Sequence, residues 1–187
     1  MCVPDGLRGR GGCGRPGACL SGLIRHWVMP PDAAVAIELV AINDEQFAER
    51  IPRAKAAYAE HLRGTGMPAD RAAAKSEEDH ARLLPDGRPR SGDQLLTVMV
   101  DGSPGGLVWL GPRDENPDAW WVWQIEVDEA LRGRGVGRAA MVQVQEVARA
   151  SGAQSLSLNV FGDNVAARRL YDSPGFRTTT LQVRLEL

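Results

Sequence analysis

Cysteine is scarce, and where it occurs it builds nothing. Cys2, Cys13 and Cys19 all fall within the first 28 residues, at spacings that match neither a zinc site nor a disulfide framework, so incidental thiols are expected. Long hydrophobic runs are missing too. The apolar stretches last a handful of residues, against the roughly 20 that a helix needs to cross a bilayer, so no spanning helix is expected. The first 28 residues mix Arg with Gly and hold no continuous apolar segment, unlike a secretory signal; a cytoplasmic location is the expectation. A basic surplus is also absent. The first 28 positions hold four Arg and one Asp, which leaves 18 basic against 23 acidic residues beyond them, a net charge of −5. Nucleic acids and anionic membranes are bound by neutralising phosphates with Lys and Arg, so neither is expected as a partner.

What is present is ordinary for a globular chain. The 187 residues are 43% apolar and 25% charged, with few aromatics besides five Trp; that is enough for one well-buried core and too little for two ordinary domains. Residues 1–28 have too little apolar content to order themselves, and Met29-Pro30-Pro31 reads as a fresh beginning. The expected organisation is a disordered tail or over-extended start at 1–33 and a single domain at 34–187.

Periodicity then gives an order of elements. Val35, Ile37, Leu39 and Ala41 alternate as a strand ending at Ile42. Asn43, with Gln46 three residues on, starts a helix whose Phe47, Ile51, Ala54, Tyr58 and Leu62 keep helical spacing to Gly64, with a kink or junction expected at Pro52. A second helix runs from Pro68 to Leu84, where Pro85 stops it. Leu95 to Val100 and Leu107 to Leu110 form a hairpin through Asp101-Gly102 and Pro104-Gly105. Ala119 to Val127 is a strand predicted to carry Trp121, Trp123, Ile125 and Val127 on one face. From Val136, the stripe Ala140, Met141, Val144, Val147 and Ala148 predicts a helix closed at Gly152. A strand over Gln154 to Val160 follows, then a short helix capped by Asp163 and running through Tyr171, and, after Pro174-Gly175, a final strand pair ending at Leu187. The fold class expected is α+β, a mixed, mostly antiparallel sheet with helices on both faces in the order β-α-α-β-β-β-α-β-α-β-β.

Arg132-x-x-Gly135-x-Gly137 lies between the Trp-rich strand and the amphipathic helix. Glycines let main-chain N–H groups approach an anion, and a helix N-terminus adds orphan donors and a favourable dipole. Taken alone, the loop is either a phosphate cradle or a plain turn. About 27 residues after Gly137 come Asn164, Ala167, Leu170, Tyr171, Gly175 and Phe176. Val127, Arg132-x-x-Gly135-x-Gly137 and the later Asn164-x-x-Ala167-x-x-Leu170-Tyr171-x-x-x-Gly175-Phe176 resemble the two signature blocks of the GCN5-related N-acetyltransferase (GNAT) family. Tyr58-Ala59, Leu83 to Gly87 and Asn159 to Asn164 extend the resemblance, to an uncharacterised bacterial branch, over roughly residues 35–187.

The resemblance implies an N-acetyltransferase that uses acetyl-CoA as co-substrate and no metal. The acceptor would be a primary amine on a small molecule or peptide, and the protein a monomer or homodimer. Arg132, Gly133, Arg134, Gly135, Val136, Gly137 and Arg138 would hold the pyrophosphate. Main-chain groups of Ile125, Glu126 and Val127 would line a gap where the fourth strand parts from the fifth, with the Val127 N–H as oxyanion donor. Asn164 would touch the pantetheine arm, with helix capping as its plain alternative. Tyr171 would be the general acid, its alternative being a core aromatic. The base is open: Glu126, placed by alternation opposite Trp123 and Ile125, or a water relay held by Gln124, Asn159 or Asn164. The acceptor pocket would gather Tyr58, Glu60, His61 and the strand's Trp residues, although His61 and His80 read first as solvated helix residues and Trp120, Trp121 and Trp123 first as sheet core. Arg168-Arg169 reads as a solvated helix face, with the CoA 3′-phosphate as its other reading. A CoA-binding regulatory module with little catalysis is the alternative function.

Overall fold

Alternation at Ile37 and Leu39 becomes strand β1 (Ile37–Ala41), and the Asn43 side chain then starts helix α1 (Asp44–Gly64) by accepting from the Gln46 N–H at 2.8 Å. The computed structural model describes residues 35–162, 164–172, 175–183 and 185. The Cys-bearing head, the expected cap at Asp163 and the turn residue Pro174 lie outside the described residues. Helix α1 continues through Pro52 as one element rather than dividing there. Helix α2 (Ala69–Leu83) packs beside it, and Pro85 ends α2 in a single 3-10 turn.

Strands β2 (Gln94–Val100) and β3 (Ser103–Arg113) form the hairpin, turning at Asp101-Gly102, both at positive φ (51° and 79°), while Pro104-Gly105 lie inside β3. Strand β4 (Asn116–Val127) follows, then helix α3 (Val136–Ala150), strand β5 (Ser155–Leu158) and helix α4 (Val165–Asp172). The sheet order is β1-β2-β3-β4-β5, with β4 and β5 parallel and every other neighbouring pair antiparallel. This is the expected α+β class. Two expected features differ. Strand β5 stops before Val160, and no strand follows α4 among the described residues. Leu181, Val183 and Leu185 alternate like a strand but stay exposed, without a ladder partner among the described residues.

The core has two layers. On one face of the sheet, Leu39, Val98, Val108, Leu110, Trp120 and Val122 pack against Val136, Ala140, Met141 and Val144 of α3. On the other, Leu95, Leu107 and Trp109 pack against Ile51 and Ala54 of α1. One polar contact joins α1 to the end of β4. The Arg50 side chain, 4% exposed, donates to both carboxylate oxygens of Asp128 at 2.8 and 3.0 Å, and its Nε donates to Gln46 Oε1 at 3.0 Å.

Arg50 holds the Asp128 carboxyl below the usual carboxylate range, chiefly through these hydrogen bonds. A lowered folded value stabilises the fold above the unfolded value of ~3.9 and loses that contribution as pH falls through the folded value. Asp128→Asn leaves a buried guanidinium uncompensated and should cost about 3 kcal/mol by urea denaturation at pH 7. The difference from wild type should shrink below a pH of ~3.9. Arg50→Met should cost less, because Asp128, at 31% exposure, can rehydrate.

Candidate functional site

The site grows from an irregularity in β4. Trp109 pairs with Gln124 while the next residue, Leu110, pairs with Val122, so Trp123 is a surplus residue in β4. The bulge reverses the expected facing. Ile125 and Val127 pack with the α3 layer, whereas Trp123 packs with the α1 layer. Gln124 and Glu126 share their faces with cross-strand Trp109 and Leu107, so Glu126 lies on the α1 side with Trp123 and close enough to raise the Arg50 guanidinium pKa. Glu126 is therefore not opposite Trp123, as simple alternation predicts.

Next to the bulge, β4 and β5 part. Their ladder ends at Val122 and Leu158. The Asp128 N–H donates to Gly105 of β3 at 2.9 Å. Since N–H groups alternate along an antiparallel strand, those of Ile125 and Val127 point away from β3, into the gap. Arg132 Nε donates to the Val127 carbonyl at 3.0 Å, which ties the following loop to this edge.

That loop leaves a run of main-chain donors open at a helix N-terminus. Gly133 and Gly135 have φ of 74° and 85°, and Gly135 is the N-cap of α3. The first helical bond runs from the Ala139 N–H to the Gly135 carbonyl; among the described residues, the N–H groups of Gly133 through Arg138 have no main-chain acceptor. Arg132, Arg134 and Arg138 are exposed around them. A Cβ on Gly137 would lie 2.6 Å from Leu170 Cδ1, so a glycine there lets α4 approach the first turn of α3.

Helix α4 brings the second block to the same end. Asn164 is its N-cap, its Oδ1 accepting from the Ala167 N–H at 3.0 Å. Tyr171 packs with Ile125, Val127 and Leu170 on the α3 side, its ring 5.9 Å from that of Phe176, and burial raises its phenol pKa. Asn159 is exposed just beyond the end of β5. Arg168 and Arg169 are exposed as well. The cradle, Ile125, Val127 and Tyr171 thus converge, while Glu126 sits on the other face.

On that other face, Tyr58 donates to Asp79 Oδ2 at 3.1 Å, and His61 stacks on Phe161 at 5.3 Å between centroids. Burial and Asp79 together raise the Tyr58 pKa. Trp121 and Trp123 lie under the guanidinium groups of Arg113 and Arg90, each 5.0 Å from its ring centroid, while Trp120 is core. His80 is buried, against the expectation of a solvated residue. Its signal was present in the spacing of Ala72, Ser76 and His80, the buried stripe of α2, but a stripe with two polar members does not read as hydrophobic. The Arg50–Asp128 pair, 78 positions apart, left no local trace. Among the described residues, no three His, Cys, Asp or Glu side chains form a metal-ligand group, and no helix is long and apolar enough to cross a membrane.

Comparison with known proteins gives the family. The profile of the Acetyltransferase (GNAT) family matches residues 57–176. YdgE of Bacillus subtilis, an uncharacterised N-acetyltransferase, is 32% identical over 116 residues, covering 60% of this chain and 73% of its own. YycN of the same organism, also an uncharacterised N-acetyltransferase, is 28% identical over 157 residues, covering 82% of this chain and 100% of its own. The crystal structure of YycN superposes with a TM-score of 0.75 at 26% identity, over 81% of this chain and 99% of that one. The aminoglycoside acetyltransferase AAC(6')-Iy, in complex with the bisubstrate analogue CoA-S-monomethyl-acetylneamine, shares the fold at 18% identity and a TM-score of 0.54, over 81% of this chain and 98% of that one. The chain belongs to the GNAT acetyltransferase family and is an N-acetyltransferase of that type.

Gly135→Ala meets no atom within 4 Å, so its strain is conformational, about 1–2 kcal/mol. Gly152→Ala, at φ 90° beyond the other end of α3, carries the same strain with equal space. The two should lose similar stability by thermal melting, and a phosphate cradle at this loop predicts that only Gly135→Ala weakens CoA binding by calorimetry, by about tenfold or more, since strain that turns one N–H away from the anion loses a charge-assisted hydrogen bond worth roughly 1.5–3 kcal/mol.

Proposed function

We propose that the protein transfers an acetyl group from acetyl-CoA directly to the primary amine of a small molecule or peptide. The observation that carries this reading is the parting of β4 from β5 after Val122, which leaves the Ile125 and Val127 N–H groups facing a gap that ends in the free donors of Gly133 through Arg138. Residues fit the cofactor along that line. The main chain of Gly133, Arg134, Gly135, Val136, Gly137 and Arg138, together with the side chain of Arg132, would hold the pyrophosphate. Ile125 and Val127 would hold the extended arm as an added strand would be held, and Asn164, beyond its capping bond, would meet the same arm. The thioester supplies the activated acyl carbon, and the protein supplies three things around it.

The first is an oxyanion donor, the Val127 N–H, fixed in direction by the ladder to β3 on its other side. The second is an acid for the departing thiolate. Tyr171 suits this because burial favours its neutral phenol, so the proton is still present well above neutral pH. The third is a proton acceptor for the ammonium, for which Glu126 of β4 and a water held by Asn159, just past β5, are the candidates along this seam. The domain is proposed to span residues 34–187, with 1–33 outside it, and to work in the cytoplasm as a monomer or homodimer without a metal.

Thiol release from acetyl-CoA, measured against a panel of polyamines, amino acids, aminoglycosides and peptide N-termini, tests the reading. Turnover with at least one amine is expected. CoA binding without turnover on any of them would instead make the protein a regulatory CoA binder. Tyr171→Phe should lower kcat about 100-fold with CoA affinity unchanged. Because the phenol pKa is raised, Tyr171 should cause no loss of rate below a pH of ~10.

A further inference from the structure

The α1 face of the sheet holds a buried titratable ring that none of these roles uses. His80 of α2 is 5% exposed, and its Nδ1 lies 2.8 Å from the Ser76 carbonyl. A carbonyl can only accept, so Nδ1 carries the proton and Nε2 keeps its lone pair while the ring is neutral. The support is itself anchored, for the Ser76 hydroxyl donates to the Lys55 carbonyl of α1 at 2.8 Å. The ring centroid is 6.0 Å from that of Tyr58 and 6.4 Å from that of Trp109, and Trp109 is held by its Nε1 donating to Asp93 Oδ2 at 3.0 Å.

Strand register says where this ring sits along the site. Trp109 is the cross-strand partner of Gln124, which immediately precedes Ile125, the first residue whose N–H opens onto the gap. Phe161, just past β5, lies 6.4 Å from Tyr58 between centroids and stacks on His61, so the far wall of the gap meets α1 beside the same group of rings. The charged and titratable groups on this face include Tyr58 on α1, Asp79 on α2, Glu126 on β4, and Asp93 behind Trp109. Asp79 is already engaged by Lys75 at 2.8 Å, Arg82 at 3.2 Å and the Tyr58 hydroxyl at 3.1 Å.

We propose that His80 is the general base, receiving the acceptor's proton at Nε2 on the side of the sheet opposite Tyr171; this rests on the acetyl-transfer reading. The ammonium gives one proton to Nε2, and its freed lone pair forms the N–C bond to the acyl carbon. The C–S bond breaks with its electrons on sulfur, which takes the Tyr171 proton. The second proton lost by nitrogen restores Tyr171 through solvent, and the imidazolium returns its own to water. Ammonium and thioester thus become amide, thiol and one released proton.

The test compares wild type with His80→Asn, which keeps a donor for the Ser76 carbonyl but no base, using the fastest amine from the panel. Wild-type kcat/KM should fall on the acid side of its pH profile as the base takes up a proton. In His80→Asn that limb should vanish and the rate at pH 7 should drop about 100-fold. Hydroxylamine, a nucleophile already neutral at pH 7, should be acetylated equally by both. Long-range proton–nitrogen NMR, simple with three His in the chain, should show His80 as the Nδ1–H tautomer. An unchanged acid limb, an equal deficit with hydroxylamine, an Nε2–H tautomer, or loss of CoA binding in both His80→Asn and His80→Gln would each overturn the assignment. Turnover with an unchanged limb would sink His80 alone, whereas absence of turnover with every amine, hydroxylamine included, would sink the transfer reading on which it rests.

Discussion

Between Val122 and Ile125, β4 carries one residue more than its partner β3, and that surplus decides to which side of the sheet each group of the site belongs. A side-chain period of two means that one inserted residue reverses every facing beyond it. Without the bulge, Ile125 and Val127 would face α1, and Gln124 and Glu126 would be driven into the apolar layer under α3. With it, the apolar pair stays beside Leu170 and Tyr171, and the polar pair faces the rings of α1 and α2. The same irregularity lies where the β4–β5 ladder ends, since twist and lost pairing at a bulge make it hard for a short parallel neighbour to follow.

The Arg50–Asp128 pair is the complement of that break. An edge left without a ladder partner over Trp123 to Val127 is held on one side only, and Asp128 is the first residue beyond it. Gripping this carboxylate from α1 fixes the strand end just before the cradle begins, so the direction of the Val127 N–H depends on a helix on the opposite face of the sheet. A bidentate guanidinium suits that task better than an ammonium would, because two parallel hydrogen bonds set orientation as well as distance.

What could be read in advance follows the range of the forces involved. Caps, turns and stripes act over three or four residues, so Asn43, Asp101-Gly102 and the α3 stripe were legible in the sequence, and so was the Gly-rich loop with its helix. The facing of Ile125 and Glu126 was not, because a bulge depends on the partner strand and leaves β4 looking like a regular alternation. His80 was hidden for a different reason. Its burial relies on a carbonyl, a hydroxyl and two aromatic rings from three elements, none of which raises the apolar content of its own helix. The terminal alternation at Leu181, Val183 and Leu185 shows the converse, a strand pattern whose local signal has no ladder partner among the described residues.

The proposed placing of donor and acceptor machinery on opposite faces has a chemical rationale. An acid that must stay protonated and a base that must stay unprotonated at the same pH keep their roles when their surroundings differ. Here Tyr171 lies among apolar residues of the α3 layer, where burial keeps the phenol neutral. The candidate acceptor groups lie among aromatic rings on the α1 side. The β4–β5 ladder ends at Val122 and Leu158, and the proposed reaction puts the reacting carbon in the gap beyond that end. Under that proposal, the opened seam would let one thioester lie between an acid on the α3 side and a base on the α1 side.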